Sequence, residues 1–263
     1  MEFNKTYNEN CLDTMARMED NFIDLTVTSP PYDNLRTYNG YSFDFESIAK
    51  ELYRVTKEGG VVVWIVGDAT IKGSETGTSF KQALYFMECG FNLHDTMIYQ
   101  KHNFSNPSNN RYHQIFEYMF VLSKGKPKTF NKIKDRENAV KGFRKVSNGR
   151  HTNGKIRDKT KEKRTLGNSD LFVDEFGMRY NIWKFTTERG NHPAIFPEKL
   201  ANDHIISWSN ENDLIYDPFM GSGTTAKMAI INNRNWIGSE MSEEYCKIIE
   251  ERINNHKKQL KLL

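Results

Sequence analysis

Short apolar runs alternate with amphipathic stretches along most of the chain. Phe22 to Thr28 is rich in β-branched residues and predicts a strand over 23–28. Phe45, Ile48, Ala49, Leu52 and Val55 recur at helical spacing, predicting a helix from Phe45 to Thr56 that Gly59-Gly60 stops. Val61 to Val66 is continuously apolar, as in a strand buried on both faces of a parallel sheet. A short strand over 3–7, a polar turn at 8–10 and a helix over 12–18 precede these elements. A helix over 79–89, closed by Gly90, and strands over 93–99 and 115–122 follow them. Strand and helix alternating across short turns predict an α/β fold, a doubly wound and mostly parallel sheet.

The alternation breaks at Ser123. Residues 124–170 are rich in Lys, Arg, Asn and Gly, with weak periodicity. The stretch 147–168 reads equally as a solvated linker and as a folded segment, whereas Phe130, Phe143, Leu171, Phe172 and Phe176 predict a small packed subdomain. Order returns at Tyr180 to Trp183, Pro193 and Pro197 flank a helix start, and Glu198 to Trp208 is amphipathic. A strand over 214–216, a glycine-rich turn, a helix over 224–232 and a strand over 236–240 complete the pattern. The expected organisation is one domain from 1–123 and 181–263, carrying an insertion at 124–180.

Charge sharpens that division. Net charge is only +3, yet 124–164 holds roughly 16 basic against 4 acidic residues, leaving the rest at about −9. A basic insert on an acidic body is the electrostatic footprint of a polyanion binder. With 27% charged and 37% hydrophobic residues, the composition is that of a soluble chain with an ample core. The N-terminus lacks a signal-peptide pattern and no apolar run is long enough to span a bilayer. Cys11, Cys89 and Cys246 form no Cys-x-x-Cys, so a reducing cytoplasm is the expected setting. Seven dispersed histidines, with no His-Glu-x-x-His, argue against a metal site.

Two motifs carry chemistry. The 23–28 strand runs into Ser29-Pro30-Pro31-Tyr32. Proline fixes φ and has no N–H, so the chain leaves the sheet stiffly. The Ser29 hydroxyl, the Pro30 carbonyl and the Tyr32 ring then offer two neutral acceptors beside a flat stacking surface. That set suits an amino group on a heteroaromatic ring: acceptors aimed at its two hydrogens localise a lone pair otherwise delocalised into the ring. Tyr32 would stack a base removed from its helix. An ordinary strand ending in a Pro-Pro turn, with Tyr32 as core packing, fits the same residues.

The second motif is Asp217-Pro218-Phe219-Met220-Gly221-Ser222-Gly223-Thr224-Thr225. A strand leading into closely spaced glycines and then a helix is a nucleotide-cradling turn. Glu240 ends the next strand ~20 residues beyond, where dinucleotide folds carry a ribose-binding acid. No Gly-x-Gly-x-x-Gly or Gly-Lys-Ser/Thr is present, which disfavours nicotinamide cofactors and an ATP phosphate loop. Asp217 would repel phosphate and welcome an ammonium. A ligand of adenine, ribose and an amino-acid tail fits: S-adenosyl-L-methionine.

With both motifs present, the chain resembles the amino-directed DNA methyltransferases, in the permuted (β-class) group whose Ser-Pro-Pro-Tyr block precedes the glycine block. The resemblance covers Asn8 to Ser123 and Trp183 to Ile253. It implies a Rossmann-like methyltransferase fold, with Ser29, Pro30, Pro31 and Tyr32 as the catalytic segment. It further implies cofactor contacts from Asp217, Phe219, Gly221, Ser222, Gly223, Thr224 and Thr225, from Glu240 and Met241, and from His192, Pro193 and Phe196 in the block closing over the methionine end. Wrapping around the permutation, residues 3–11 become the strand beyond Glu240, and Asn10-Cys11 stands where the family usually has Asp-Cys near the adenine amine. The insert 124–180 takes the place of the target-recognition region, with Lys141, Arg144, Lys145, Arg150 and Arg157 as candidate contacts to double-stranded DNA.

The expected activity is transfer of a methyl group from S-adenosylmethionine to the exocyclic amine of a flipped base. Serine before Pro-Pro-Tyr favours cytosine N4; adenine N6 is the alternative. An RNA or protein amide methyltransferase and a DNA-binding module without catalysis are further readings. A cognate restriction endonuclease and a homodimer are compatible partners.

Overall fold

The computed structural model describes residues 1–31, 43–104, 107–139, 141–144, 171–185 and 197–260. These fall into two compact units, 1–131 with 181–263, and 132–180.

In the first unit the chain begins with β1 (Lys5–Tyr7), α1 (Cys11–Ala16), β2 (Ile23–Thr28), α2 (Phe45–Val55) and β3 (Thr56–Val66). A small hairpin, β4 (Thr70–Ile71) and β5 (Ser74–Glu75), precedes α3 (Thr78–Glu88), β6 (Asn92–Lys101) and β7 (Phe116–Ser123). The second unit contributes β8 (Lys134–Glu137), β9 (Gly142–Arg144), β10 (Leu171–Val173) and β11 (Phe176–Met178). The first unit resumes with β12 (Ile182–Phe185), α4 (Glu198–Trp208), β13 (Leu214–Asp217), α5 (Thr224–Ile231), β14 (Asn235–Ser239) and α6 (Glu243–Leu260).

Eight strands form the main sheet in the order β1-β14-β13-β2-β3-β7-β6-β12. Strand β7 runs antiparallel to both β3 and β6, and the remaining pairs are parallel. From β2 the chain crosses through α2 to β3 on one side; from β13 it crosses through α5 to β14 on the other. Right-handed crossovers in opposite directions place α2 and α5 on opposite faces. Accordingly α1 packs on α2 and α2 on α3, while α4 packs on α5 and α5 on α6. Covered on both faces, Val61 to Val66 are buried without exception, which is why that run is uninterrupted in the sequence. The N-terminal strand β1 pairs with β14, with Lys5 opposite Ile237 and Tyr7 opposite Ser239, so the first residues close the sheet beside the last strand.

Trp64 is the largest fully buried side chain in the core. Its indole N–H donates to Gln82 Oε1 at 2.8 Å, and its ring meets Phe86 at 5.1 Å and Phe45 at 5.9 Å between centroids.

Two expectations change. Helix α2 ends at Val55, where Thr56 turns extended and its hydroxyl donates to the Leu52 carbonyl at 2.6 Å. Gly59 and Gly60 lie inside β3 and do not stop the helix. The Gly59 N–H donates to the Lys124 carbonyl at 2.7 Å, and a Cβ at Gly60 would meet Lys57 O at 2.9 Å. These glycines permit close passage of two backbones. The hairpin β4–β5 was not evident from periodicity, because each of its strands has only two residues.

Among the described residues of the second unit are two antiparallel ribbons, β8 with β11 and β9 with β10. Arg179 pairs with Asp135, Lys134 Nζ lies 2.9 Å from Asp174, and the Asn138 amide donates to the Asp174 carbonyl at 2.9 Å. Polar cross-links of this kind leave little hydrophobic periodicity to read.

Trp64→Ala would empty a site enclosed by the rings of Phe45, Phe86 and Phe219 and orphan the Gln82 carbonyl. Denaturant unfolding is expected to show a loss of about 3–5 kcal/mol.

Candidate active site

Strands β2 and β13 are parallel neighbours, with Leu25 opposite Ile215 and Thr26 opposite Tyr216. Strand β2 connects on to β3 and β13 to β14, on opposite sides of the pair, and open α/β sheets bind ligands beyond the carboxyl ends of their strands at such a switch point. Both sequence motifs start there. On β2 the buried Thr28 precedes half-buried Ser29, buried Pro30 and half-buried Pro31. Tyr32 lies outside the described residues. On β13 the strand ends at Asp217, and the Thr28 hydroxyl donates to Asp217 Oδ1 at 2.7 Å.

The glycine turn is held by carboxylates that accept backbone N–H groups. Asp217 Oδ1 also accepts the Phe219 N–H at 3.0 Å. The Met220 N–H donates to the Ser239 carbonyl at 3.0 Å. Gly221 (φ 53°) and Gly223 (φ 79°) take left-handed conformations that side chains disfavour. Glu240 accepts the Gly221 N–H on Oε2 and the Ser242 N–H on Oε1, each at 2.9 Å. Gly238 leaves room for the Met220 side chain of the turn, whose Cε would sit 1.9 Å from a Cβ there.

Burial pushes the Asp217 carboxyl up to about 6, opposed by hydrogen bonds from the Thr28 and Thr225 hydroxyls and the Phe219 N–H. Burial also raises Glu240, against the two backbone N–H donors and with the Asp217 charge adding to the rise. Unlike Asp217, Glu240 is only part-buried, and each of its oxygens keeps a second lone pair. It can therefore accept from a pair of vicinal hydroxyls while holding the turn. A glycine turn of this shape beside a part-exposed carboxylate fits a ribose-bearing cofactor.

Several expected roles shift. Asp217 is 1% exposed and faces protein donors, so its carboxylate is not presented to an ammonium. Asn10 caps α1, its side-chain oxygen accepting the Leu12 N–H at 2.9 Å. Cys11 is buried in the main hydrophobic cluster, its thiol pushed up to about 12 by burial. Met241 offers its carbonyl to the Asn8 amide at 3.1 Å, and the same amide donates to the Glu240 carbonyl at 2.9 Å. Ser222 and Thr224 are engaged by Arg252, whose guanidinium donates to the Ser222 carbonyl at 2.8 Å, Ser222 Oγ at 3.1 Å and Thr224 Oγ1 at 3.2 Å. His192, Pro193 and Phe196 lie outside the described residues.

Arg252 and its partners escaped the sequence reading. Glu198 on α4 receives both Arg252 from α6 and Lys227 from α5 at 2.6 Å, and those cations hold its carboxyl below the usual range despite burial. The three residues are far apart in sequence, and no local pattern marks them. Thr28 leads into the Ser-Pro-Pro-Tyr stretch, but its bond to Asp217 joins positions 189 apart and carries no local signal.

Of the candidate DNA contacts, Lys141 is exposed and bridges Glu137 at 2.9 Å and Glu175 at 2.7 Å. Such exposed pairs are weak and exchange readily for a phosphate. Arg144 ends β9, while Lys145, Arg150 and Arg157 lie outside the described residues. Among the described residues, no group of His, Cys, Asp and Glu could hold a metal ion, and no helix is long and apolar enough to cross a membrane.

Comparison with known proteins agrees with this geometry. The family described as DNA methylase, of N6 and N4 methyltransferases, matches residues 23–251. The chain is 62% identical over 244 residues to the orphan methyltransferase M.BamHII of Bacillus amyloliquefaciens, covering 89% of each protein. It is 27% identical to the type II methyltransferase M.MthZI of Methanothermobacter thermautotrophicus, over 95% of this chain and 76% of that protein. Among solved structures, the PvuII DNA methyltransferase (cytosine-N4-specific) aligns with a TM-score of 0.67 at 20% identity, over 94% of this chain and 84% of that one. The M1.HpyAVI–SAM complex aligns with a TM-score of 0.60 at 20% identity, over 94% and 98%. At such identities the structural likeness speaks to the fold, a Rossmann-like methyltransferase sheet.

Glu240→Ala would leave the Gly221 and Ser242 N–H groups without their acceptor. Titration calorimetry is expected to show S-adenosylmethionine binding weakened about 10- to 100-fold, with the fold retained.

Proposed function

This chain belongs to the DNA methylase family, and from that premise we propose that it methylates cytosine N4 in duplex DNA through a permuted, Ser-Pro-Pro-Tyr type site. The coarser activity follows from membership: it is an S-adenosylmethionine-dependent DNA methyltransferase acting on the exocyclic amine of a base. When bound, S-adenosylmethionine supplies an electrophilic sulfonium methyl. The observation that carries the proposed site is the 2.7 Å hydrogen bond between Thr28 and Asp217, which joins the residue before Ser29 to the first residue of the glycine turn.

In this reading the Ser29 hydroxyl and the Pro30 carbonyl accept the two amino hydrogens, localising the nitrogen lone pair, while Tyr32 stacks on the flipped base. Neither acceptor is charged, so neither needs to change protonation state before transfer. Glu240 holds the ribose end, and the turn from Phe219 to Thr225 shapes the remainder of the cofactor cradle. His192, Pro193 and Phe196 are assigned to the methionine end by the resemblance alone. The rate comes from positioning and from acceptors set in place beforehand, with no covalent enzyme intermediate. The thiols agree with this, since burial pushes Cys11 up to about 12 and Cys246 to about 11.

Serine at position 29 favours cytosine N4 over adenine N6, the second reading. The basic residues of 124–180 are assigned to the DNA backbone and base edges, Lys141 by exchanging its carboxylate partners for phosphate. The 62% identical relative is named an orphan methyltransferase, which favours a solitary enzyme over one paired with a cognate endonuclease.

Ser29→Ala is expected to lower the single-turnover methylation rate about 100-fold while duplex affinity stays within ~2-fold, because the hydroxyl acts on the transition state. Undiminished turnover would remove the role given to that hydroxyl. Methyl-acceptor activity on duplex DNA should fall steeply with added salt; equal activity on RNA at any salt would contradict the assignment of the insert.

A further inference from the structure

We propose that the Thr28 hydroxyl and the Asp217 carboxylate form a latch that aims the catalytic segment at the cofactor turn, making Thr28 a positioning residue for methyl transfer. The proposal rests on the site reading given above and assigns a role to Thr28, the residue preceding the two acceptors.

The starting observation is a buried acid that no described cation pairs with. Asp217 is 1% exposed, and none of the ion pairs among the described residues includes it. A carboxylate so placed is costly, and protein interiors keep one only where donors converge on it. Two converge on Oδ1 here, from two separate pieces of chain, with a third hydroxyl close by. The Thr28 hydroxyl comes from the end of β2 and the Phe219 N–H from the turn, both onto Oδ1 at 2.7 and 3.0 Å. The Thr225 hydroxyl comes from the first turn of α5. Thr225 also lies 3.2 Å from the Val27 carbonyl, so its single proton serves one side of the seam or the other. Either way it ties α5 to the end of β2.

An acid is not needed merely to shape the turn, because an amide oxygen could accept the Phe219 N–H equally well. What the carboxylate adds is acceptor capacity with no competing donor, so β2, β13 and α5 can all close on the same group. Thr28 is 0% exposed and its side chain is thereby fixed. Ser29 follows directly, and then two prolines whose φ angles are locked. Any rotation at Thr28 passes stiffly to the acceptors ~3–7 Å further along. A displacement of about 1 Å in such a site costs on the order of 100-fold in rate.

The latch is sensitive to protonation. With a carboxyl pushed up to about 6, Asp217 is an all-acceptor group at neutral pH. As pH falls through that value, Oδ2 takes up a proton and the donors on Oδ1 bond a neutral carbonyl oxygen in place of a carboxylate, which weakens the charge-assisted Thr28 bond. The described titratable groups facing Asp217 are Glu240, at the end of the neighbouring strand, and Tyr216 on its own strand. Glu240 is acidic and Tyr216 is held neutral by burial, its hydroxyl bonded to Ser239 Oγ at 2.9 Å. Neither supplies a positive charge that would keep Asp217 ionised. The Thr28 donor favours the ionised form, so its removal moves the titration upward.

The test is the pH dependence of the single-turnover methylation rate for the wild type, Thr28→Val, Thr28→Ser and Asp217→Asn, with DNA and cofactor affinities measured alongside. Thr28→Val, nearly isosteric, is expected to lose about 10- to 100-fold in rate with DNA affinity within ~2-fold. Its acid limb should move up by about half a unit or more, and Thr28→Ser should restore both rate and limb. Asp217→Asn should abolish the limb near pH 6, and it keeps the test open if Thr28→Val does not fold. The latch is overturned if Thr28→Val keeps the wild-type rate and limb, if Thr28→Ser is as impaired as Thr28→Val, or if Asp217→Asn keeps the limb. Full turnover by Ser29→Ala would instead overturn the site reading, whatever Thr28 does.

Discussion

Two parallel strands, β2 and β13, lie side by side and then send their chains in opposite directions. Every functional feature of the first unit depends on that parting. Both strands are buried, so their register is fixed by the apolar residues Leu25, Val27 and Ile215. Once that register is set, with Leu25 opposite Ile215 and Thr26 opposite Tyr216, Thr28 ends β2 one residue beyond Asp217 and within hydrogen-bond reach of its carboxylate. A slip of one residue would turn every buried side chain of β2 to the opposite face and separate the motifs. The hydrophobic core and the chemistry are therefore specified by the same alignment.

Around that switch point the acidic groups serve the backbone. Asp217 and Glu240 accept N–H groups of the glycine turn and its flank, and Glu198 gathers Arg252 and Lys227 behind it. Arg252 in turn grips the carbonyl and hydroxyl of Ser222. Charge is thus used to immobilise a loop that glycines alone would leave loose. An amino-directed transfer benefits from this economy, because it needs neutral acceptors held still and no ionised nucleophile.

Much of this was legible in the chain. The uninterrupted run Val61 to Val66 gave a central strand, and helix α4 spans Glu198 to Trp208 as its amphipathic pattern indicated. The glycine turn and Glu240 meet through one hydrogen bond across 19 positions of sequence. The parts that were not legible share a cause. Gly59-Gly60 resembled a helix stop because the sequence does not show the second backbone, at Lys124 to Lys128, that passes over them. Asp217 resembled a ligand for an ammonium because its inward turn is decided by donors on Thr28 and Thr225, remote from its own segment. Arg252 carried no local signal, since its partners lie 28 to 54 positions away. The strands of the second unit are short and cross-linked by polar groups, so apolar periodicity could not reveal them.

Incubation of the protein with duplex DNA and isotopically labelled S-adenosylmethionine, followed by digestion to nucleosides and mass analysis, addresses the central claim most directly. The expected product is labelled N4-methyl-2′-deoxycytidine. Label at carbon 5 of cytosine, or cofactor binding with no labelled nucleoside from mixed genomic DNA, would contradict the claim.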